Sequence, residues 1–157
     1  MSVNGEPMEL QEIQNMLRIF PDMMRTLRCG FVPDVGMAVS HTEFRTLMEM
    51  LRQPGMPMKH YARMTGIESG SFTYIAHKLE RKGLVQPACG HDRRCTMLCL
   101  TPEGERVAAA LRVQFDAHAA SRVAALTADE RAELDAAIRI LEHTLKQLER
   151  QNGPKKA

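Results

Sequence analysis

The sequence predicts a mainly α-helical (α+β) fold that contains a single β-hairpin. Apolar residues recur at steps of three and four at both ends of the chain, as on one face of an amphipathic helix. This period changes after Gly83, where two short β-tolerant runs, LVQPAC and CTMLCLT, enclose GHDRR. We therefore expect a winged helix-turn-helix domain at residues 37–101, terminal helical regions at 1–36 and 102–150, and a flexible tail at 151–157.

The N-terminal region is expected to form one long amphipathic helix. Its apolar positions make a heptad-like stripe of Leu10, Ile13, Leu17, Phe20, Met24 and Leu27. Pro21 falls inside this stripe, so we expect either a kink there or a restart of the helix with Pro21 in its first turn. A second helix should run from about His41 to Gln53, because Ser40 and Glu43 have the spacing of a capping box.

Two further helices make up the predicted helix-turn-helix. A short helix runs through Tyr61 and Ala62, and a tight turn follows at Gly66. The next helix begins near Ser69 and ends at Gly83, which takes the C′ position. The apolar face of this helix consists of Phe72, Ile75, Ala76 and Leu79.

Two C-terminal helices complete the predicted order. Thr101 is suited to cap an alanine-rich helix that starts at Pro102 and extends to about Ala125. Thr127 and Glu130 form another capping box ahead of the last helix. That helix carries a seam that needs a partner helix, with Leu134, Ile138, Leu141, Leu145 and Leu148 spaced four and three apart.

Composition is typical of a soluble globular protein and gives no sign of an enzyme. The 157 residues are 44% hydrophobic and 25% charged, without an apolar run near the roughly 20 residues of a membrane span. The start, MSVNGEPMELQE, lacks the features of a secretory signal, so we expect a cytoplasmic protein with no membrane partner. The sequence contains no Gly-rich phosphate loop, nucleophile elbow or His-Glu-x-x-His, so we expect neither catalysis nor a cofactor.

Positive charge is concentrated in the middle of the chain. Residues 58–101 hold seven Lys or Arg against three Asp or Glu, a net charge of +4, whereas the whole chain carries only +2. The rest of the chain is therefore slightly acidic, and the basic segment coincides with the predicted winged domain. Such a distribution favours contact with nucleic acid through that domain.

Three segments of the basic region resemble the MarR family of bacterial transcription regulators. They are GIESGSFTYIAHKLERKGLV, HDRR and LTPEG, in that order, although the wing is about one residue shorter than is usual in the family. The resemblance implies a homodimer built from the terminal helices, in which two winged domains bind palindromic double-stranded DNA. It also implies a repressor that a small apolar or phenolic effector releases from its site.

The predicted DNA-contacting residues lie on the helix after Gly66 and in the wing. Side chains in the N-terminal half of such a helix read base edges in the major groove, which favours Ser71, Thr73 and Tyr74 for that role. Lys78 and Arg81 suit phosphate contacts. The whole set is Ser69, Ser71, Thr73, Tyr74, His77, Lys78, Arg81, Arg93 and Arg94.

Arg93 and Arg94 lie at the tip of the predicted hairpin. A wing arginine suits the minor groove, because narrow A·T segments concentrate negative potential there. The family resemblance implies that Asp92 orients the wing through an arginine and that Arg94 is the more constrained of the two. Which of the two arginines enters the groove stays open at this point.

The cysteines around the wing allow several interpretations. Cys95 and Cys99 would be roughly 13 Å apart on a regular strand, too far for one zinc ion, so we expect no metal there. Cys89 and Cys95 would lie directly opposite each other across a five-residue connection, within disulfide range. The function is then either effector-controlled repression, with cysteines that only fill space, or a thiol-based redox-sensing repressor that uses Cys89 and Cys95.

Two other expectations follow from the sequence. Cys29, His41 and His118 lie near element junctions but have too few acidic or histidine neighbours in the sequence to predict a metal site. A more remote functional alternative is a winged helix that contacts another protein rather than DNA, which would show no salt-dependent binding to duplexes.

Overall fold

The computed structural model describes residues 9–89 and 96–151. Within these ranges the elements, in chain order, are α1 Leu10–Arg28, α2 His41–Arg52, α3 Met58–Thr65, α4 Ser69–Arg81, β1 Val85–Cys89, β2 Thr96–Leu100, α5 Pro102–Val123 and α6 Ala128–Gln151. This order matches the one that the sequence predicts. The chain divides into two compact units, the first ending at His118 and the second beginning at Ala119.

Helix α1 continues through Pro21 as one helix, so the predicted restart at Pro21 is wrong. A restart is unnecessary because the helix is already capped at Glu9, whose backbone N–H donates to the Glu12 carboxylate at 3.0 Å. The apolar stripe of α1 remains open to solvent, with Leu10, Leu17 and Phe20 71%, 65% and 42% exposed. No residue of α1 is buried within the described chain.

The core of the first unit lies where α2, α3, α4 and the hairpin meet the start of α5. The most deeply buried large side chains include Leu47, Tyr61, Phe72, Leu84 and Leu111. Helix α3 ends at Thr65, and the next residue, Gly66, adopts the left-handed conformation with φ of 64° and makes the turn into α4. The helix-turn-helix is therefore present as the sequence predicts, and its second helix is α4.

The hairpin is present, but its register differs from the predicted one. Cys89 is paired with Thr96, so the prediction that Cys89 lies directly opposite Cys95 is wrong. The observed register also pairs Val85 with Leu100 and Pro87 with Leu98. It places the buried Val85 and Leu98 on the same face of the ribbon, whereas a shift of one residue would turn them to opposite faces.

Both C-terminal helices begin at the caps that the sequence predicts. The Thr101 hydroxyl accepts a hydrogen bond from the Gly104 N–H at 2.9 Å, and the Thr127 hydroxyl accepts one from the Glu130 N–H at 3.3 Å. Helix α5 ends at Val123, two residues before the predicted end. Helix α6, in the second unit, has no buried residue, and its apolar seam is exposed except at the half-buried Leu134. None of the described helices is long and apolar enough to cross a membrane.

Candidate nucleic-acid interface

Helix α4 has one buried apolar face and one exposed polar face. Phe72, Ile75, Ala76 and Leu79 are buried, as their spacing predicts. The exposed residues of the predicted DNA-contacting set are Ser69, Ser71, Thr73, Tyr74, His77 and Arg81. Tyr74 is 65% exposed despite its large ring. The exposed face thus offers hydroxyl, imidazole and guanidinium groups, which are groups that contact base edges and phosphates.

The hydroxyls near the start of α4 differ in their availability. The Thr73 hydroxyl donates to the carbonyl oxygen of Ser69 at 3.0 Å, a bond within the helix that uses its only donor. Thr73 can still accept a hydrogen bond from a ligand. Among the described residues, no hydrogen bond of the Ser71 or Tyr74 side chain is seen, and both are exposed.

The cations near the end of α4 are held by a glutamate of α2. The Lys82 ammonium donates to Glu43 Oε1 at 2.7 Å and to the carbonyl oxygen of Ala38 at 2.6 Å. Lys78 Nζ lies 3.8 Å from the same carboxylate oxygen. Burial alone would raise the pKa of Glu43, but hydrogen bonds from Lys82 and Ser40 outweigh that effect and hold the pKa below its ordinary value.

The sequence predicts only a capping role for Glu43 and gives no role to Lys82. The capping role is confirmed, because the Ser40 N–H donates to Glu43 Oε2 at 2.6 Å. The ion pair joins residues 39 positions apart, so no local spacing signals it. A weak signal was available in Lys78 and Lys82, which are four residues apart and therefore share one side of α4.

The wing tip lies outside the described residues. Asp92, Arg93, Arg94 and Cys95 belong to the segment between the two described ranges, so their predicted roles stay predictions. The register that pairs Cys89 with Thr96 removes the geometric reason for a Cys89–Cys95 pair.

The end of α4 is tied directly to the start of α5. The Thr101 hydroxyl donates to the carbonyl oxygen of Gly83 at 2.6 Å, and the Thr101 N–H donates to that of Leu84 at 3.0 Å. A Cβ built on Gly104 would lie 1.8 Å from the Leu84 oxygen, so only glycine permits this approach. The first turn of α5 is thus fixed to the C-terminus of α4.

A crevice of about 630 Å³ lies in the first unit beside α2. Its apolar lining is Phe20, Pro21, Met24, Phe44, Met48, Met64 and Phe115, and its charged lining is Arg28, Arg45, Glu49, Arg52, Arg112 and Asp116. The volume lies within the usual range for small-molecule sites. The crevice is therefore large enough to hold a small molecule.

Each of the four arginines that line the crevice binds an acceptor, but only two of them pair with a carboxylate among the described residues. Arg45 donates to the Thr65 carbonyl oxygen at 2.6 Å, Arg52 pairs with Glu49, and Arg112 pairs with Asp116. Arg28 donates to Nε2 of His41 at 2.7 Å and, like Arg45, has no carboxylate at ion-pair distance within the described ranges. Burial, followed by the charges of Arg28 and Arg45, lowers the pKa of His41, which keeps its ring neutral beside these cations.

The cysteine and histidines considered for a metal site do not converge. Within residues 9–89 and 96–151, no group of three or more His, Cys, Asp or Glu side chains is arranged to hold a metal ion. His118 Nε2 lies 3.2 Å from the backbone oxygen of Cys29 rather than from its sulfur. Cys29 and Cys99 are free thiols.

Comparison with known proteins points to one family. Residues 39–94 match the model of the MarR family. A search of curated proteins gives no match to this chain. The matched segment extends from just before α2 into the wing, and so contains the whole helix-turn-helix.

Solved structures similar to this chain include three regulators. MarR from E. coli, in its apo form, is 17% identical over 87% of this chain and 98% of its own, with a TM-score of 0.65. PcaV from Streptomyces coelicolor, in complex with its natural ligand, is 22% identical over 88% and 97%, with a TM-score of 0.57. BpsR from Bordetella bronchiseptica, whose DNA binding is regulated by 6-hydroxynicotinic acid, is 17% identical over 83% and 98%, with a TM-score of 0.60. Residues 39–94 thus match the MarR family model, and the chain as a whole shares the fold of these transcription regulators.

Proposed function

We propose that this protein is a sequence-specific, double-stranded DNA-binding transcription regulator, a homodimeric repressor that a small molecule releases from its site. The observation that carries the proposal is the division of α4, whose four apolar residues are buried while its hydroxyl and cationic groups are exposed. In a helix-turn-helix, that exposed face is the one that enters the major groove.

In this proposal the N-terminal half of α4 contacts bases and its C-terminal half contacts phosphates. Ser71 and Tyr74 are exposed near its N-terminus and suit contacts with base edges or nearby phosphates. Arg81 is exposed near its C-terminus and suits a phosphate. Lys78 is half-buried and shares Glu43 with Lys82, so its ammonium has to leave a weak ion pair at 3.8 Å to reach DNA. Arg93 or Arg94 of the wing adds a minor-groove contact in this proposal, and Asp92 orients it.

A second copy of the chain supplies the partner that the terminal helices need. Both α1 and α6 carry an apolar stripe with no buried residue, and Leu17 and Leu145 are 65% and 57% exposed. Contiguous apolar surface of this kind marks an interface in a protein that stays in solution. Two copies related by a two-fold axis would also present two copies of α4 to a palindromic site, about one helical turn apart.

The effector proposed for the crevice is a small aromatic molecule with an acidic group. Phe44, Phe115 and the methionines of the lining suit an apolar or phenolic ring. Among the described residues, Arg28 and Arg45 are the lining arginines without a carboxylate at ion-pair distance, and Arg28, whose guanidinium contacts the neutral His41 ring, is available to an anionic group. One regulator with this fold points the same way, since the DNA binding of BpsR is regulated by 6-hydroxynicotinic acid, which is an aromatic acid.

Release follows from the coupling of the dimer helices to α4. Thr101 and Gly104 fix the start of α5 to the end of α4, so a change in the angle of α5 moves α4 with it. An effector can bind more tightly to a dimer whose two α4 helices are spaced differently from the DNA half-sites. Such an effector shifts the population toward that dimer and so lowers the affinity for DNA.

Selection of bound duplexes from a random pool tests this function. We expect a palindromic sequence to be enriched by the native protein and lost when an aromatic acid effector is present at saturating concentration. A protein that used its winged helix for contact with another protein would enrich no sequence and would show no salt-dependent binding to duplexes. That result would exclude the proposed function.

A further inference from the structure

Glu43 is the buried charged residue of the described core. Its side chain is 1% exposed, although the third position of a helix with a capping box is commonly open to solvent. The two other buried polar residues, Thr46 and Thr65, each bond to a carbonyl oxygen of their own helix, those of Thr42 and Tyr61. Glu43 differs because its carboxylate reaches another helix, α4.

The two carboxylate oxygens of Glu43 serve different helices. Oε2 accepts from the Ser40 N–H at 2.6 Å and closes the cap of α2. Oε1 accepts from Lys82 at 2.7 Å, at the C-cap of α4, and lies 3.8 Å from Lys78 one turn earlier. Lys82 also donates to the Ala38 carbonyl oxygen at 2.6 Å, so two groups at the start of α2, one before the helix and one in its first turn, hold the end of α4.

We propose that Glu43 is a positioning residue for DNA recognition, which fixes the tilt of α4 by holding Lys82 against the start of α2. This inference rests on the DNA-binding function proposed above. Helix α4 has 13 residues and is therefore about 20 Å long, so a small tilt at its C-terminal end displaces the base-reading residues at the other end. Because Lys82 makes the closer contact with Glu43, the Lys78 ammonium stays 3.8 Å from the carboxylate and can leave it to bind a DNA phosphate.

The proposal predicts that removing the Glu43 charge changes the DNA affinity in the direction opposite to that expected from charge alone. Glu43 carries a negative charge close to a helix that faces phosphates, so removing the charge should tighten DNA binding by simple electrostatics. If Glu43 positions α4, removing the charge instead weakens binding, because the end of the helix loses its ion pair. The sign of the change therefore separates the two accounts.

The experiment measures affinity for the selected palindrome with Glu43→Gln and with Glu80→Gln as the matched control. Glu80 lies on the exposed side of α4, where it contacts only His77 among the described residues, at 3.3 Å. We expect Glu43→Gln to bind at least about fivefold more weakly than the native protein. We expect Glu80→Gln to bind equally or more tightly.

A double substitution separates positioning from stability. The variant that combines Glu43→Gln with Lys82→Met leaves no charge buried at this contact, and replacing a whole buried ion pair commonly keeps a protein folded. Its DNA affinity can therefore be measured even if a single substitution prevents folding. We expect its thermal stability to return to near that of the native protein while DNA binding stays weak. Native-like affinity in the folded double variant, or tighter binding by folded Glu43→Gln, would overturn the proposal. If the native protein binds no duplex, the proposed function itself fails, which is a separate result.

Discussion

The carbonyl oxygen of Leu84 occupies the space beside Gly104 that a side chain would need, 1.8 Å from the position of a Cβ. We therefore expect Gly104→Ala to force α5 away from the end of α4 and to lower the free energy of unfolding by about 1–3 kcal/mol. Urea denaturation followed by circular dichroism measures this change.

Gly70 provides the matched control for this substitution. It lies in α4 with no atom within 4 Å of a built Cβ, and its φ is not positive. Gly70→Ala should leave stability unchanged or raise it by up to about 1 kcal/mol, since alanine loses less backbone entropy than glycine in a helix. Equal effects of the two substitutions would show that α5 is not fixed at Gly104.

Tyr61 closes the connection between α2 and α3. Its hydroxyl donates to the Gln53 carbonyl oxygen at 2.7 Å and accepts from the Met56 N–H at 3.0 Å, while its ring is fully buried. Tyr61→Phe keeps the ring but leaves both backbone groups without that hydroxyl. We expect a loss of about 1–3 kcal/mol in the free energy of unfolding, measured by urea denaturation. A loss much below that range would mean that water replaces the hydroxyl.

Stability should fall in mildly acidic solution because of His41. Its pKa is lowered in the folded protein, so the unfolded chain binds a proton more readily as the pH falls below 6.5, the ordinary value for histidine. The stabilising effect of His41 is therefore present above that pH and is lost as the pH falls through the lower folded value. The effect is modest because the ring is partly exposed to solvent.

Comparison with His41→Gln isolates this effect. We expect the melting temperature of the native protein to decline more steeply between about pH 7 and pH 5 than that of the variant. Parallel declines in the two proteins would assign the pH dependence to other groups.

Arg28 should determine whether an effector needs an acidic group. We expect Arg28→Ala to weaken binding of an aromatic carboxylate to the crevice by about tenfold or more, because a charge-assisted hydrogen bond is lost. A neutral phenol should bind almost equally to both proteins. Isothermal titration calorimetry measures each affinity, and Arg106→Ala is the control, since Arg106 pairs with Glu103 on the exposed side of α5 and does not line the crevice. Unchanged affinity for the carboxylate would remove Arg28 from the effector site, and equal losses for the carboxylate and the phenol would show that Arg28 does not act on the acidic group.

The order and the ends of the elements could be predicted because their signals are local. The caps at Ser40, Thr101 and Thr127 lie within three residues of their partners, and the apolar spacing of α4 identified its buried face. These features depend on helix geometry alone.

The features that could not be predicted depend on contacts between distant residues. The pairing of Cys89 with Thr96 is linked to the burial of Val85 and Leu98 on one face, which the length of the connection does not reveal. The ion pair between Glu43 and Lys82 requires the packing of α2 against α4.

The salt dependence of DNA binding tests the central claim most directly. The measurement is the affinity of the native protein, Arg81→Ala and Arg18→Ala for the selected palindrome over a range of salt concentrations. Arg81 is on the exposed face of α4, whereas Arg18 is on α1, where it lies 3.7 Å from Asp22. We predict that the slope of log affinity against log salt becomes shallower by about one for each Arg81 that contacts a phosphate, thus by about two in a dimer, and is unchanged for Arg18→Ala. Salt-independent binding by the native protein, or the same slope in all three proteins, would contradict the placement of α4 on DNA.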